Sequence, residues 1–138
     1  MLKLSLNELA SEGERLCKLG DCQNGVKYFE EALKLYDQLK NDANLDEKEQ
    51  NRLLHVMSVI YNQMGNAFFN MQDFAQALEY HKKDLELSEL FEDESGKAKA
   101  CGNVGNTLQM MGEHDEAILY LLRNLEISKK LNDLVILL

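Results

Sequence analysis

The sequence predicts an all-α fold, a solenoid of three helix-turn-helix repeats. Two observations predict it. The chain repeats against itself, and within each repeat the apolar residues recur at helical spacing around a short break. At an offset of 40 residues, Met64-Gly65-Asn66 falls on Val104-Gly105-Asn106, Ala77-Leu78 on Ala117-Ile118, Tyr80 on Tyr120, and Leu85-Glu86-Leu87-Ser88 on Leu125-Glu126-Ile127-Ser128. At an offset of 52 a weaker copy places Gly13 on Gly65, Leu16 on Phe68, Asp21 on Asp73, Tyr28 on Tyr80 and Leu33 on Leu85.

Each unit reads as two antiparallel helices. In the first, Leu9, Leu16 and Leu19 precede a break at Gly20-Asp21, and Val26, Phe29, Leu33 and Tyr36 follow it. The turns fall at Leu19-Gly20-Asp21-Cys22, Met71-Gln72-Asp73-Phe74 and Met111-Gly112-Glu113-His114. Glycine inside a helix costs about 1 kcal/mol relative to Ala, so its recurrence at Gly13, Gly65 and Gly105 calls for a packing reason. Those glycines, with Gly25, Ala77 and Ala117 in the second helices, let paired backbones approach closely. The repeats span about 6–39, 58–91 and 98–131 of a single array over 1–138, with an insertion at about 41–52 and an apolar tail at 132–138. The polar insertion reads as a loop at Asn41 to Leu45. Asp46 then caps a long helix through Met71, with Glu49 three residues on.

The alternation of a large apolar residue, Leu-Gly, a Gly-Asp turn and a small residue in the second helix resembles the tetratricopeptide (TPR) pattern, so the fold is a TPR-like α-solenoid with 40-residue spacing. Two features depart from that pattern. The usual proline after the second helix is missing, and the period exceeds 34 residues. More specific strings are Gly-Glu-Arg-Leu-Cys-Lys-Leu-Gly-Asp-Cys (13 to 22), Ile-Tyr-Asn-Gln-Met-Gly-Asn-Ala-Phe-Phe (60 to 69), Tyr-His-Lys-Lys-Asp-Leu (80 to 85), Gly-Lys-Ala-Lys-Ala-Cys-Gly-Asn-Val-Gly-Asn-Thr-Leu (96 to 108) and His114-Asp115-Glu116-Ala117. Together they resemble the amino-terminal TPR region of the Pins/LGN family (Partner of Inscuteable-like, G-protein signalling modulator). That resemblance implies a scaffold binding segments of NuMA/Mud/LIN-5-type or Inscuteable-type proteins in spindle orientation, asymmetric division and cell polarity, with recruitment to the cell cortex. The family's GoLoco motifs, which bind Gα, have no counterpart in these residues, and the family's array is longer. The chain therefore reads as a fragment, a short isoform or a divergent relative.

In a stacked array of helix pairs the first helices line the concave face. The repeat frame puts Asn62, Gln63, Asn66, Phe69 and Asn70 there from repeat two, and Lys97, Lys99, Gly102, Asn103, Asn106 and Gln109 from repeat three. Asn and Gln offer donor and acceptor together, as the backbone of a bound peptide requires. Asn66 and Asn106 equally suit pairing with the neighbouring repeat's backbone. Lys97 and Lys99 at the groove mouth favour an acidic segment, and a solvated surface role also fits each alone.

Composition narrows the alternatives. The 138 residues carry 15 Lys+Arg against 24 Asp+Glu, a formal net charge of -9, which opposes the basic surface that nucleic acid requires. No apolar run approaches the roughly 18 residues of a membrane span, and Met1 to Ala10 lacks a signal-peptide core. Three cysteines without framework spacing suit a reducing, cytoplasmic setting. Cys17, Cys22, Cys101, His55, His81 and His114 form no catalytic or metal signature, so the expectation is a non-enzyme without cofactor or metal. His81 takes the repeat position of Phe29 and Leu121 and reads as a packed residue. A chaperone-type carboxylate clamp is the rival binding mode. It meets Ala10, Glu14 and Gln63, keeps only Lys99, and has Asn103 in place of Arg. A self-associating structural module is the other rival, with Leu134-Val135-Ile136-Leu137-Leu138 as the seam of a homodimer.

Overall fold

The computed structural model describes residues 4–137, with side chains through Asn132. The described residues form six helices: α1 (Leu6–Lys18), α2 (Cys22–Leu39), α3 (Glu47–Asn70), α4 (Phe74–Leu90), α5 (Glu94–Met110) and α6 (His114–Leu137). They pair as α1/α2, α3/α4 and α5/α6, and each pair stacks on the next. The expected seam at Leu134 to Leu138 lies outside the described side chains, although the α6 backbone is helical to Leu137.

Local chemistry fixes the helix starts. Ser5 and Glu8 form a reciprocal capping box on α1, with Ser5 Oγ accepting from Glu8 N–H and the Glu8 carboxylate from Ser5 N–H. Asp21, Asp46, Asp73 and Asp93 cap α2 through α5, each accepting from a backbone N–H three residues on. Asp46 Oδ1 accepts from Glu49 N–H at 2.7 Å, so the last residues of the polar insertion are the first turns of α3. Asp93 starts α5 four residues earlier than the repeat frame at 98 indicates, which puts Lys97 and Lys99 inside the helix.

The recurrent glycines are contact points between paired helices. A Cβ on Gly13 would stand 2.7 Å from the Phe29 ring, on Gly65 2.5 Å from the His81 ring, and on Gly105 2.7 Å from Leu121 Cδ2. Phe29, His81 and Leu121 occupy one repeat position, so in every unit one second-helix side chain presses against the first helix at its glycine. Gly25 reciprocates in repeat one, where a Cβ would meet the Gly13 carbonyl at 2.7 Å.

One core runs through repeats one and two, with Leu9, Phe29, Met57, Ile60, Met64 and Phe68 buried together. Between repeats two and three, Leu85 packs on Ala100 and Cys101, and Leu78 packs on Val104 and Leu108. Their counterparts one repeat later, Leu125 and Ile118, are 64% and 52% exposed among the described residues. Among the described residues no helix is long and apolar enough to cross a membrane.

Candidate functional site

Two side-chain bridges join the first helices into a continuous face. Gln63 Nε2 on α3 donates to Glu14 Oε2 on α1 at 3.0 Å, and Asn103 Nδ2 on α5 donates to Asn62 Oδ1 on α3 at 3.0 Å. Contacts 49 and 41 residues apart in sequence thus run across the array from α1 to α5. Each amide keeps unused capacity, and Gln63 Oε1 is buried with no partner.

Below the first bridge lies a hollow of about 240 Å³, lined by Glu14, Cys17, Lys18, Phe29, Gln63, Asn66, Ala67 and Asn70. Asn66 and Asn70 are exposed at its edge. Glu14 also pairs with Lys18 at 3.0 Å, so this end of the face is a neutralised ion pair with an amide against it. About one and two helical turns on from Asn103, Asn106 and Gln109 are exposed and make no side-chain hydrogen bond among the described residues.

Phe69, Lys97 and Lys99 are placed differently. Phe69 turns toward the α3–α4 turn, its ring edge-on to Phe74 at 5.2 Å, and packs on the core instead of lining the hollow. Lys97 is committed to Glu94 in the first turn of α5 at 2.5 Å. Lys99 is exposed and has no ion pair among the described residues. It is the cation that the face offers freely.

Behind Lys99 sits a buried polar cluster. Ser58 Oγ donates to Asp84 Oδ1 at 2.5 Å, tying α3 to α4. Burial raises the Asp84 carboxyl above the usual range, against the pull of Ser58 and of the Lys99 charge. His81, 1% exposed, is pushed down to about 4 by burial and by Lys99, and its Nδ1 has no partner. One repeat on, Asn124 replaces Asp84 and donates to the Ala98 carbonyl at 2.5 Å. Ala98 and Ser58 are themselves 40 residues apart, so the same crossing is tied in both repeats.

Glu14, Lys18, Ser58, Asp84 and Asn124 belong to this face or its support, and the repeat frame alone does not single them out as such. Their signal is partial: Glu14 stands out only as a misfit in a carboxylate clamp, and Asp84 only as a charge at a repeat position held by Ala32 and Asn124. Ala10, another clamp position, is buried. Among the described residues no group of three His, Cys, Asp or Glu could hold a metal ion.

The family model of the tetratricopeptide repeat matches residues 56–130. Among curated proteins, G-protein-signaling modulator 1 of Homo sapiens is 45% identical over 116 residues, which covers 84% of this chain and 15% of that protein. The Mus musculus protein of the same name is 42% identical over 103 residues, 75% of this chain and 13% of its own length. Outer dynein arm-docking complex subunit 4 of Danio rerio is 26% identical over 99 residues, 72% of this chain and 19% of that protein. The chain therefore spans less than a fifth of the length of these relatives. Among solved structures, the N-terminal domain of stress-induced protein-1 from C. elegans superposes with a TM-score of 0.66 at 20% identity, covering 94% of this chain and 93% of that one, a likeness of fold alone. The G-protein-signaling modulators agree with the Pins/LGN resemblance carried by the sequence strings.

Proposed function

The chain belongs to the tetratricopeptide repeat family and is a protein-interaction scaffold, and we propose on that premise that its row of first helices binds a peptide segment of a NuMA/Mud/LIN-5-type or Inscuteable-type protein. The observation that carries this reading is the pair of bridges, Glu14–Gln63 and Asn62–Asn103, which hold three first helices as one face while Asn66, Asn70, Asn106, Gln109 and Lys99 stay open to a ligand. Unbonded amides on a rigid face satisfy a peptide backbone at little ordering cost. Lys99 gives an acidic residue of that peptide a cationic anchor. In this reading the chain is non-catalytic and needs no cofactor. It acts in the cytoplasm with recruitment to the cell cortex, in spindle orientation and polarity, and Gα binding is no part of it. A carboxylate clamp is disfavoured, since Ala10 stands where the clamp needs its Lys and the Glu14 carboxylate would repel the ligand's own.

The test is a titration of the purified chain with NuMA-type and Inscuteable-type peptides and a chaperone carboxy-terminal peptide as control, repeated with Asn66→Ala and Asn106→Ala variants of unchanged helicity. Binding of a family peptide that both substitutions weaken supports the reading. Failure of every family peptide, or binding of the control alone, removes it.

A second reading, self-association, is favoured by α6. Ile118, Leu119, Leu122 and Leu125 are 52%, 67%, 56% and 64% exposed on one helix. Leu119 and Leu122 stand where α4 carries Glu79 and Lys82, so this face is more apolar than the repeat pattern requires. At the other end, Glu8 and Glu12 of α1 occupy the positions of buried Ile60 and Met64, so head-to-tail stacking would bury charge. Two copies would therefore meet α6 to α6. A monomer mass that stays constant with concentration in light scattering excludes this second reading.

A further inference from the structure

The α1–α2 turn carries chemistry that the repeat does not require. Cys17 lies in the last turn of α1 and Cys22 is the first residue of α2. Between them Gly20 takes a positive φ of 86°, and the chain folds back with Asp21 N–H donating to the Leu16 carbonyl at 2.8 Å and Gly20 N–H to that of Cys17 at 3.0 Å. In repeat two the equivalent positions hold Phe69 and Phe74, whose rings meet edge-on with centroids 5.2 Å apart. At this turn in repeat two the backbone thus turns the two side chains toward each other. In repeat one both are thiols.

Both thiols are free and half-buried, and both pack at the margin of the core. Cys17 is confined on its far side, since a Cβ on Gly25 would stand 2.8 Å from its Sγ, and it forms part of the floor of the 240 Å³ hollow. Burial, with the adjacent Cys22 thiol acting on it, pushes the Cys17 thiol up to about 12. Cys101 is a contrast within the same chain: it is 0% exposed and packs in the core with Leu85 and Ala100.

We propose that Cys17 and Cys22 form an oxidation site, a thiol pair that a small-molecule disulfide of the glutathione class converts to an intrachain disulfide closing the α1–α2 turn. The Cys22 thiolate attacks one sulfur of the oxidant, making a mixed disulfide and releasing one small thiolate, which takes up a proton. Cys17 then gives up its proton and attacks the Cys22 sulfur, so the Cys17–Cys22 bond forms and the second small thiol leaves. The two cysteines lose two electrons and two protons together, and the small disulfide is reduced to two thiols. Cys22 attacks first because Cys17 is held protonated, which makes Cys17 the resolving partner.

The test exposes the fully reduced chain to oxidised glutathione in native buffer and, separately, in urea, then quenches and reads intact mass and tryptic peptides. The expected result is a loss of about 2 Da, with peptide 16–18 disulfide-linked to peptide 19–27. The link should form faster in the folded chain than in urea. Cys101→Ser should behave as the parent, whereas Cys17→Ser should retain glutathione on Cys22. Separate glutathione adducts on both cysteines, thiols that stay free, a link to another chain, or closure no faster than in urea would each overturn the proposal.

Discussion

The imidazole of His81 lies flat on the backbone at Gly65, so close that a Cβ there would be 2.5 Å from its Cε1. A rigid ring cannot give way as a flexible chain end does, and the interior around it is closed, with Met64 and Ala67 0% and 1% exposed. Gly65→Ala should therefore destabilise the fold by about 1–3 kcal/mol despite its better helix propensity. Urea unfolding followed by helical circular dichroism measures this. A variant as stable as the parent would show that α3 and α4 can separate freely.

His81 also gives the fold a pH response. Burial, reinforced by the Lys99 charge, takes it from an ordinary value near 6.5 down to about 4. The unfolded chain then binds the proton more readily, so stability is full above the unfolded value and falls as pH drops from 6.5 toward 4. At pH 5 the loss from this group is ~2 kcal/mol. Repeat three has Leu121 at the same position, and His81→Leu should remove this slope between pH 6.5 and 5 in chemical denaturation. An unchanged slope would assign the acid response to other groups.

What the sequence made legible was the part of the fold with a fixed repeat position. Gly13, Gly65 and Gly105 announced the close helix pairs, and Asp46 with Glu49 announced the start of α3, because each signal lies within one turn of the residue it governs. The bridges of the binding face were not legible. Gln63 meets Glu14, and Asn62 meets Asn103, only through the rotation of three helices about their axes, and neighbouring residues on a helix point about 100° apart. Phe69 illustrates the same limit: it follows the groove helix in sequence but, near its end, turns onto Phe74.

The α1–α2, α3–α4 and α5–α6 turns contain a local strain that can be relieved. Gly20, Gln72 and Gly112 share one repeat position and all have positive φ, at 86°, 63° and 80°. For Gln72 the side chain makes that conformation costly, whereas glycine reaches it freely. Gln72→Gly should raise stability by ~0.5–1 kcal/mol, and Gly112→Gln should lower it by a similar amount. Thermal melts of the two variants should move in opposite directions. Movement in the same direction would place the energetic difference outside the turn.

Asp84 is the last test of how the repeats are tied. Asp84 is 6% exposed and its carboxyl accepts from Ser58, yet burial outweighs that bond and the Lys99 charge and holds its pKa above the usual value. The folded state therefore keeps its proton to higher pH than the unfolded chain, so ionisation of Asp84 costs stability as pH rises past the ordinary carboxylate range. Asparagine keeps an oxygen to accept from Ser58 and carries no charge, and Asn124 already makes the corresponding crossing in repeat three. Asp84→Asn should thus be neutral or stabilising by up to ~1 kcal/mol at pH 7, and should lose the decline in stability above the carboxylate range. Asp84→Leu is the contrasting variant, because it leaves the Ser58 hydroxyl without its acceptor at a cost of about 1–3 kcal/mol. If Asn proved as costly as Leu, the charge itself, through its attraction to Lys99, would be what holds α4 to α5.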